Sequence, residues 1–227
     1  MVCGKEVRVK RRIGFVGCYS HDVILMISKV LVCLEKRVLI RDRNKLHILR
    51  ASIPVPEGVF VEKAKVEYDG LFYTQAEADA EKDRDFDIEL VDFGMEAEQE
   101  EAALCSELIL VTDMLLHHIR RLEKAGLVKE MVHGCILRDA FENLCKGEKE
   151  VKDFLQSFPN RREYFQPPDY RDARNRYVCE TQHEYSINRA SPEMQDMIYR
   201  LVQDFCPGYS EREVRRRVRQ QERRQYR

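Results

Sequence analysis

The chain has 227 residues, enough for one α/β domain with a sizeable core and short for two. Charged residues make up 35 % of it and its mean hydropathy is -0.52; no apolar run approaches the ~18–20 residues of a membrane span, and the basic start lacks the apolar stretch of a secretory signal. The formal net charge of -1 conceals blocks (basic residues 5–12, acidic residues 77–101, arginine-rich residues 212–227), so partners are read from the blocks and not from the total.

In chain order, residues 13–17 form a short apolar run closed by Gly17, which reads as a buried strand. Ser20 or Asp22 can cap a helix running to about Glu35. Val23, Ile24, Ile27, Val30, Leu31 and Leu34 recur along it at helical spacing, and Leu25 and Met26 leave little of it polar. Residues 37–41 are a second strand only a few residues later, so the three elements make a βαβ unit. Residues 42–58 read as turns, with Pro54 and Pro56 against a helix. Residues 60–67 and 71–74 read as a hairpin around Asp69-Gly70, and residues 75–84 as a short helix or loop.

Residues 86–92 predict a strand released by Gly94, residues 96–105 an acidic helix, and residues 107–112 a further buried strand. A helix over 114–125 ends at Gly126, and 131–137 is a strand. Residues 147–185 carry no clear pattern. Ser191 with Pro192 opens a helix that buries Ile198, Leu201, Val202 and Phe205 and stops at Pro207-Gly208. Residues 211–227 are helical by propensity with almost no apolar face. The expected fold is three-layer α/β, a mostly parallel sheet with helices on both faces. The domain spans residues 1–209 and a basic C-terminal tail residues 210–227.

None of the eight cysteines forms a C-x-x-C pair, which predicts free thiols and a cytoplasmic location. Adjacent His117 and His118 diverge around a helix and cannot easily share a metal; Cys179 and His183 lack further ligands at metal spacing, so no metal site is expected. Ser20-His21-Asp22 holds three triad residue types, but a working triad needs them to converge from separate segments.

The order of these elements resembles the MinD/ParA class of SIMIBI P-loop ATPases, among them the TadZ-like proteins of Flp/Tad pilus assembly, over about residues 12–207. Residues 37–42 look like that family's second strand, ending at Asp42. Residues 86–94 look like the strand of its second acidic motif, with Asp92 at the acid position, and residues 106–113 like the next strand. Ser191-Pro192-Glu193-Met194 matches the start of its last helix. The resemblance implies the fold, a homodimer, and ATP with magnesium held at the turn after the first strand.

That turn departs from the family. Where the family places lysines and a magnesium-binding hydroxyl, this chain has Gly17, Cys18, Tyr19, Ser20, His21 and Asp22, and Asn44 stands where an acid usually follows the second strand. A phosphate cradle needs curled backbone N–H groups, a helix N-terminus and a neutralising cation. Here Tyr19 and His21 are bulky, and Asp22 already satisfies the helix dipole and would repel a phosphate. Arg41, Asp42, Arg43 and Asp92 lie where open α/β sheets bind ligands and could form a remnant nucleotide or anion site, or simply a local ion pair.

The first reading is therefore a non-catalytic scaffold or localisation protein, without a cofactor, that assembles a larger machine with protein partners, a pilus or secretion apparatus among them. The alternatives are a nucleotide-binding ATPase with an atypical loop, and a protein that meets nucleic acid or an anionic surface through Arg212 to Arg227.

Overall fold

The computed structural model describes residues 11–56, 58–79, 83–141 and 148–225. Strand β1 (Arg11–Gly17) sits at the centre of a sheet, flanked on both sides by parallel strands. Its alternation decides the layers: Ile13 and Phe15 face one core, Val16 the other. The full strand order is β3-β4-β2-β5-β1-β6-β7-β8. It uses β2 (Val38–Asp42), β3 (Val66–Tyr68), β4 (Leu71–Thr74), β5 (Ile88–Gly94), β6 (Glu107–Thr112), β7 (Val132–Leu137) and β8 (Arg162–Phe165). Every neighbouring pair is parallel except the β3–β4 hairpin, which turns at Asp69-Gly70.

On one face lie α1 (His21–Cys33), α6 (Tyr170–Gln182), α7 (Pro192–Phe205) and α8 (Glu211–Gln225); on the other lie α3 (Gln99–Ala102), α4 (Leu116–Lys124) and α5 (Glu148–Gln156). The short α2 (Ile48–Ser52) contacts α6. Helix α1 is buried from His21 through Leu31, as an apolar surface on nearly all sides requires. The three-layer α/β expectation is met. The six described cysteines are free thiols. Among the described residues no helix is long and apolar enough to cross a membrane.

Several boundaries move, each for a local reason. Pro54 and Pro56 do not prevent a helix in 42–58; they follow α2 and stop it. The strand expected over 60–67 shrinks to Val66–Tyr68, because residues 61–64 turn before the chain reaches the sheet edge. The acidic helix contracts to Gln99–Ala102, consistent with like charges one turn apart opposing a longer one. Within 147–185 the structure places α5, β8 and α6.

Helix α8 packs on the core. Val214 and Val218, four residues apart, are 0 % and 2 % exposed and join the core beside α1 and α7. Two valines suffice because Arg215 pairs with Asp196 and Glu211, and Arg217 with Glu35, leaving the helix anchored on one narrow stripe. Among the described residues, the ion pairs of the acidic stretch go elsewhere. Asp83 serves Arg41 and Lys65, Glu101 serves Arg43, and Glu96 serves Lys45 and Arg121.

Candidate functional site: the closed turn at the head of the sheet

The parallel strands end together at one edge, where the β1–α1 turn, the segments that follow β2 and β5 and the start of α4 line a cleft of about 440 Å³, with the β2 and β5 carboxylates Asp42 and Asp92 buried behind it. The turn folds against its neighbouring strand. Gly17 adopts φ +138°, and a Cβ there would fall 1.7 Å from the Val111 carbonyl oxygen, so only glycine permits this approach. The Cys18 N–H then donates to that same oxygen at 3.0 Å. Tyr19 takes a left-handed conformation, φ 54°, and stands 43 % exposed at the cleft mouth.

Ser20 occupies the N-cap position of α1, but its hydroxyl does not cap. It donates to Asp92 Oδ1 at 2.8 Å instead. His21 Nε2 lies 2.9 Å from Glu180 of α6. Asp22 turns into the protein, where Arg138 holds it in a two-pronged pair, Nη1–Oδ1 2.5 Å and Nη2–Oδ2 2.8 Å. Ser20, His21 and Asp22 thus diverge to three different partners, as the triad argument requires.

Burial works against the Asp22 charge, yet the Arg138 charge and its hydrogen bonds outweigh it and hold the carboxyl well below the usual range. Its Oδ1 also accepts the Val23 N–H at 2.9 Å. The helix N-terminus, the natural seat of a phosphate, therefore carries an internal carboxylate with its own counter-ion.

Arg138 follows directly on β7 and is fully buried. It also donates to the Tyr19 carbonyl and, through Nε, to Gln166 Oε1 at 2.9 Å. Gln166 donates to Asp172 Oδ2 at 3.0 Å, and Asp172 accepts both the N–H and the hydroxyl of Ser191 at 2.7 Å. Ser191 in turn accepts the Met194 N–H, so the expected cap of α7 is present. One buried polar chain thus runs from the β1–α1 turn to the cap of the last core helix.

On the other side of the cleft, Asp42 and Asp92 sit opposite one another at the ends of β2 and β5. Asp92 receives Ser20, the Gly94 N–H at 3.0 Å and Asn44 Nδ2 at 3.3 Å; burial nevertheless raises its pKa, the donors only moderating the rise. Asp42 accepts the Tyr73 hydroxyl at 3.0 Å, and burial together with the neighbouring Asp92 charge lifts it to about 6. Gly94 is tied to this arrangement, because a Cβ would press 2.7 Å from the Asn44 side chain.

The four residues read from the sequence as a remnant anion site are not brought together. Arg41 is buried and committed to Glu89, Asp83 and the Ala76 and Glu77 carbonyls. Arg43 binds Glu101 and the Gln75 carbonyl. Asp42 and Asp92 lie side by side, buried behind the cleft wall. The basic side chains that line the cleft each face a carboxylate: Lys45 and Arg121 share Glu96, His21 faces Glu180, and His118 Nδ1 lies 2.9 Å from both oxygens of Asp113. A triphosphate entering here would compete with a carboxylate for each of these cations. Sequence reading missed Arg138, Gln166 and Asp172. A charged residue placed immediately after the buried run 132–137 was the available signal.

No protein-family model matches the chain, and no curated protein sequence matches it. Solved structures do. The MinC:MinD cell division protein complex of Aquifex aeolicus contains a chain similar over 88 % of this one and 97 % of its own length, at 18 % identity and TM-score 0.60. A McdA–ATP complex from Cyanothece matches over 86 % of this chain and 95 % of that one, at 11 % identity and TM-score 0.59. Cobyrinic acid a,c-diamide synthase from Mycobacterium smegmatis, with an ATP analog and magnesium, covers 88 % and 97 % at 12 % identity and TM-score 0.57. The chain shares the three-layer α/β fold of these solved structures.

Proposed function

We propose that this chain is a non-catalytic, ATPase-like scaffold or localisation protein that positions protein partners within a larger assembly. The observation that carries the reading is the Asp22–Arg138 pair. It fills the helix N-terminus with an internal carboxylate on a fold whose solved neighbours include complexes with ATP and with an ATP analog. The matched charges around the cleft support the same reading, since a nucleotide would have to break existing pairs to find a cation.

Thermal unfolding with millimolar ATP or ADP and magnesium tests it. The expected result is no shift and no phosphate release above background. A ligand at about 100 times its Kd adds ~2.7 kcal/mol of stability, so a shift of that size, with turnover lost in Asp92→Ala, would establish the nucleotide-binding alternative. Affinity capture should bring down a stoichiometric protein partner.

A second reading rests on α8. Arg212, Arg216 and Arg219 are exposed on the face turned away from Val214 and Val218. Such a stripe suits a phosphate backbone or an anionic surface, and binding through it weakens steeply with salt. Reversing the three charges to glutamate should abolish any nucleic-acid binding; retention in the triple variant would remove this reading.

A further inference from the structure

Beside the closed turn, the His118–Asp113 pair meets a thiol that the scaffold reading does not use. Cys18, Asp113 and His118 each offer one ligand atom, and the three atoms lie within 4.8 Å of one another. They come from two adjacent segments. Cys18 follows β1 and is pinned by its N–H bond to Val111 of β6. Asp113 follows β6 directly, and His118 stands in the first turn of α4. Asp113 Oδ1 accepts the Leu115 N–H at 2.9 Å, which fixes the carboxylate with both oxygens 2.9 Å from His118 Nδ1. Cys18 and Asp113 are buried, while Cys18 and His118 both line the cleft.

We propose that Cys18, Asp113 and His118 form a three-ligand zinc site whose fourth position opens to the cleft. The donor set argues for this ion. A thiolate disfavours magnesium and calcium, and sulfur with imidazole and carboxylate on a small tetrahedral centre suits Zn²⁺. Metal–ligand distances of roughly 2.0–2.3 Å place such ligands about three to four ångströms apart, and the three atoms here, within 4.8 Å of one another, reach that spacing by small side-chain movements. The ion would replace the direct His118–Asp113 contact with two coordination bonds and tie the β1–α1 turn to the β6–α4 segment. The open position would take water or a donor group from a partner entering the cleft.

The test uses the full-length chain, stripped with chelator and titrated with Zn²⁺ against a chromogenic competitor, then with Co²⁺ as a spectroscopic substitute. The expected result is one equivalent of tightly held Zn²⁺ and a thiolate-to-cobalt charge-transfer band. Cys18→Ser removes that band. His118→Ala, on a half-buried helical position where folding is retained, weakens Zn²⁺ by at least about the 10–100-fold that loss of even an outer-shell partner costs. His117→Ala leaves both readouts unchanged. Zn²⁺ affinity that survives Cys18→Ser and His118→Ala, or Co²⁺ bound without the thiolate band in the unsubstituted chain, overturns the site.

Discussion

Two buried carboxylate clusters share the head of this sheet, and they solve the same problem in opposite ways. Asp22 has a full counter-ion, Arg138, which holds its carboxyl well below the usual carboxylate range. Asp92 and Asp42 have only neutral donors near their oxygens, with the half-exposed His47 imidazole 3.6 Å from Asp42, and both are raised. The first cluster fixes charge and geometry and links five elements of the fold. The second sets two buried acids side by side on paired strands, each making it harder for the other to ionise. The helix N-terminus is thus rigidly occupied while the neighbouring strand ends stay responsive.

The largest effect should come from breaking the fixed cluster. Arg138→Leu leaves the buried Asp22 with only Arg176, 3.5 Å away, as counter-charge, and frees Gln166 and the Tyr19 carbonyl as well. The expected loss is about 3–5 kcal/mol, read as a fall in the urea midpoint. Adding Asp22→Asn should return part of that loss, because the uncompensated charge, and not the missing contact, carries most of it. A double variant as unstable as the single one would mean that the pair acts through packing.

The responsive cluster predicts a pH dependence of the opposite sense. A carboxylate with a depressed pKa contributes stability above its unfolded value of about 3.9 and loses it as pH falls further; that is the Asp22 case. Asp42 is raised to about 6, so between roughly pH 4 and 6 the folded state binds the extra proton and stability falls as pH rises. The span corresponds to about 2–3 kcal/mol, and Asp42→Asn should flatten it. Unfolding midpoints between pH 4 and 7 decide the matter, and a slope that persists in the variant would move the titration to Asp92.

Much of the layering was legible before any coordinates. The all-round apolar character of residues 23–34, the short joint to the second strand and the Ser191-Pro192 start each map directly onto α1, β2 and α7. Local pattern also suggested that the turn lacked a phosphate cradle. What it could not supply was convergence. Arg138 lies more than a hundred residues from Asp22, and Cys18 meets Asp113 and His118 only because β1 and β6 are neighbours. The docking of α8 was hidden for another reason. Two valines give almost no periodic signal, and their burial depends on where α1 and α7 have already gone.

The smallest effect is the most selective. Ser20 stands at an N-cap, where loss of a hydroxyl normally costs stability by exposing a helix N–H; here that hydroxyl is spent on Asp92. Ser20→Ala should therefore cost about 1–2 kcal/mol at neutral pH, toward the lower end because the same oxygen keeps the Gly94 N–H. The origin of the cost can be separated by pH. Removing a donor to the charged form raises the Asp92 pKa further, so the penalty should shrink as acid protonates Asp92 in both proteins. A capping penalty has no reason to fade in that range. A cost constant between pH 4 and 7 would reassign the hydroxyl to the helix and weaken the contrast between the two clusters.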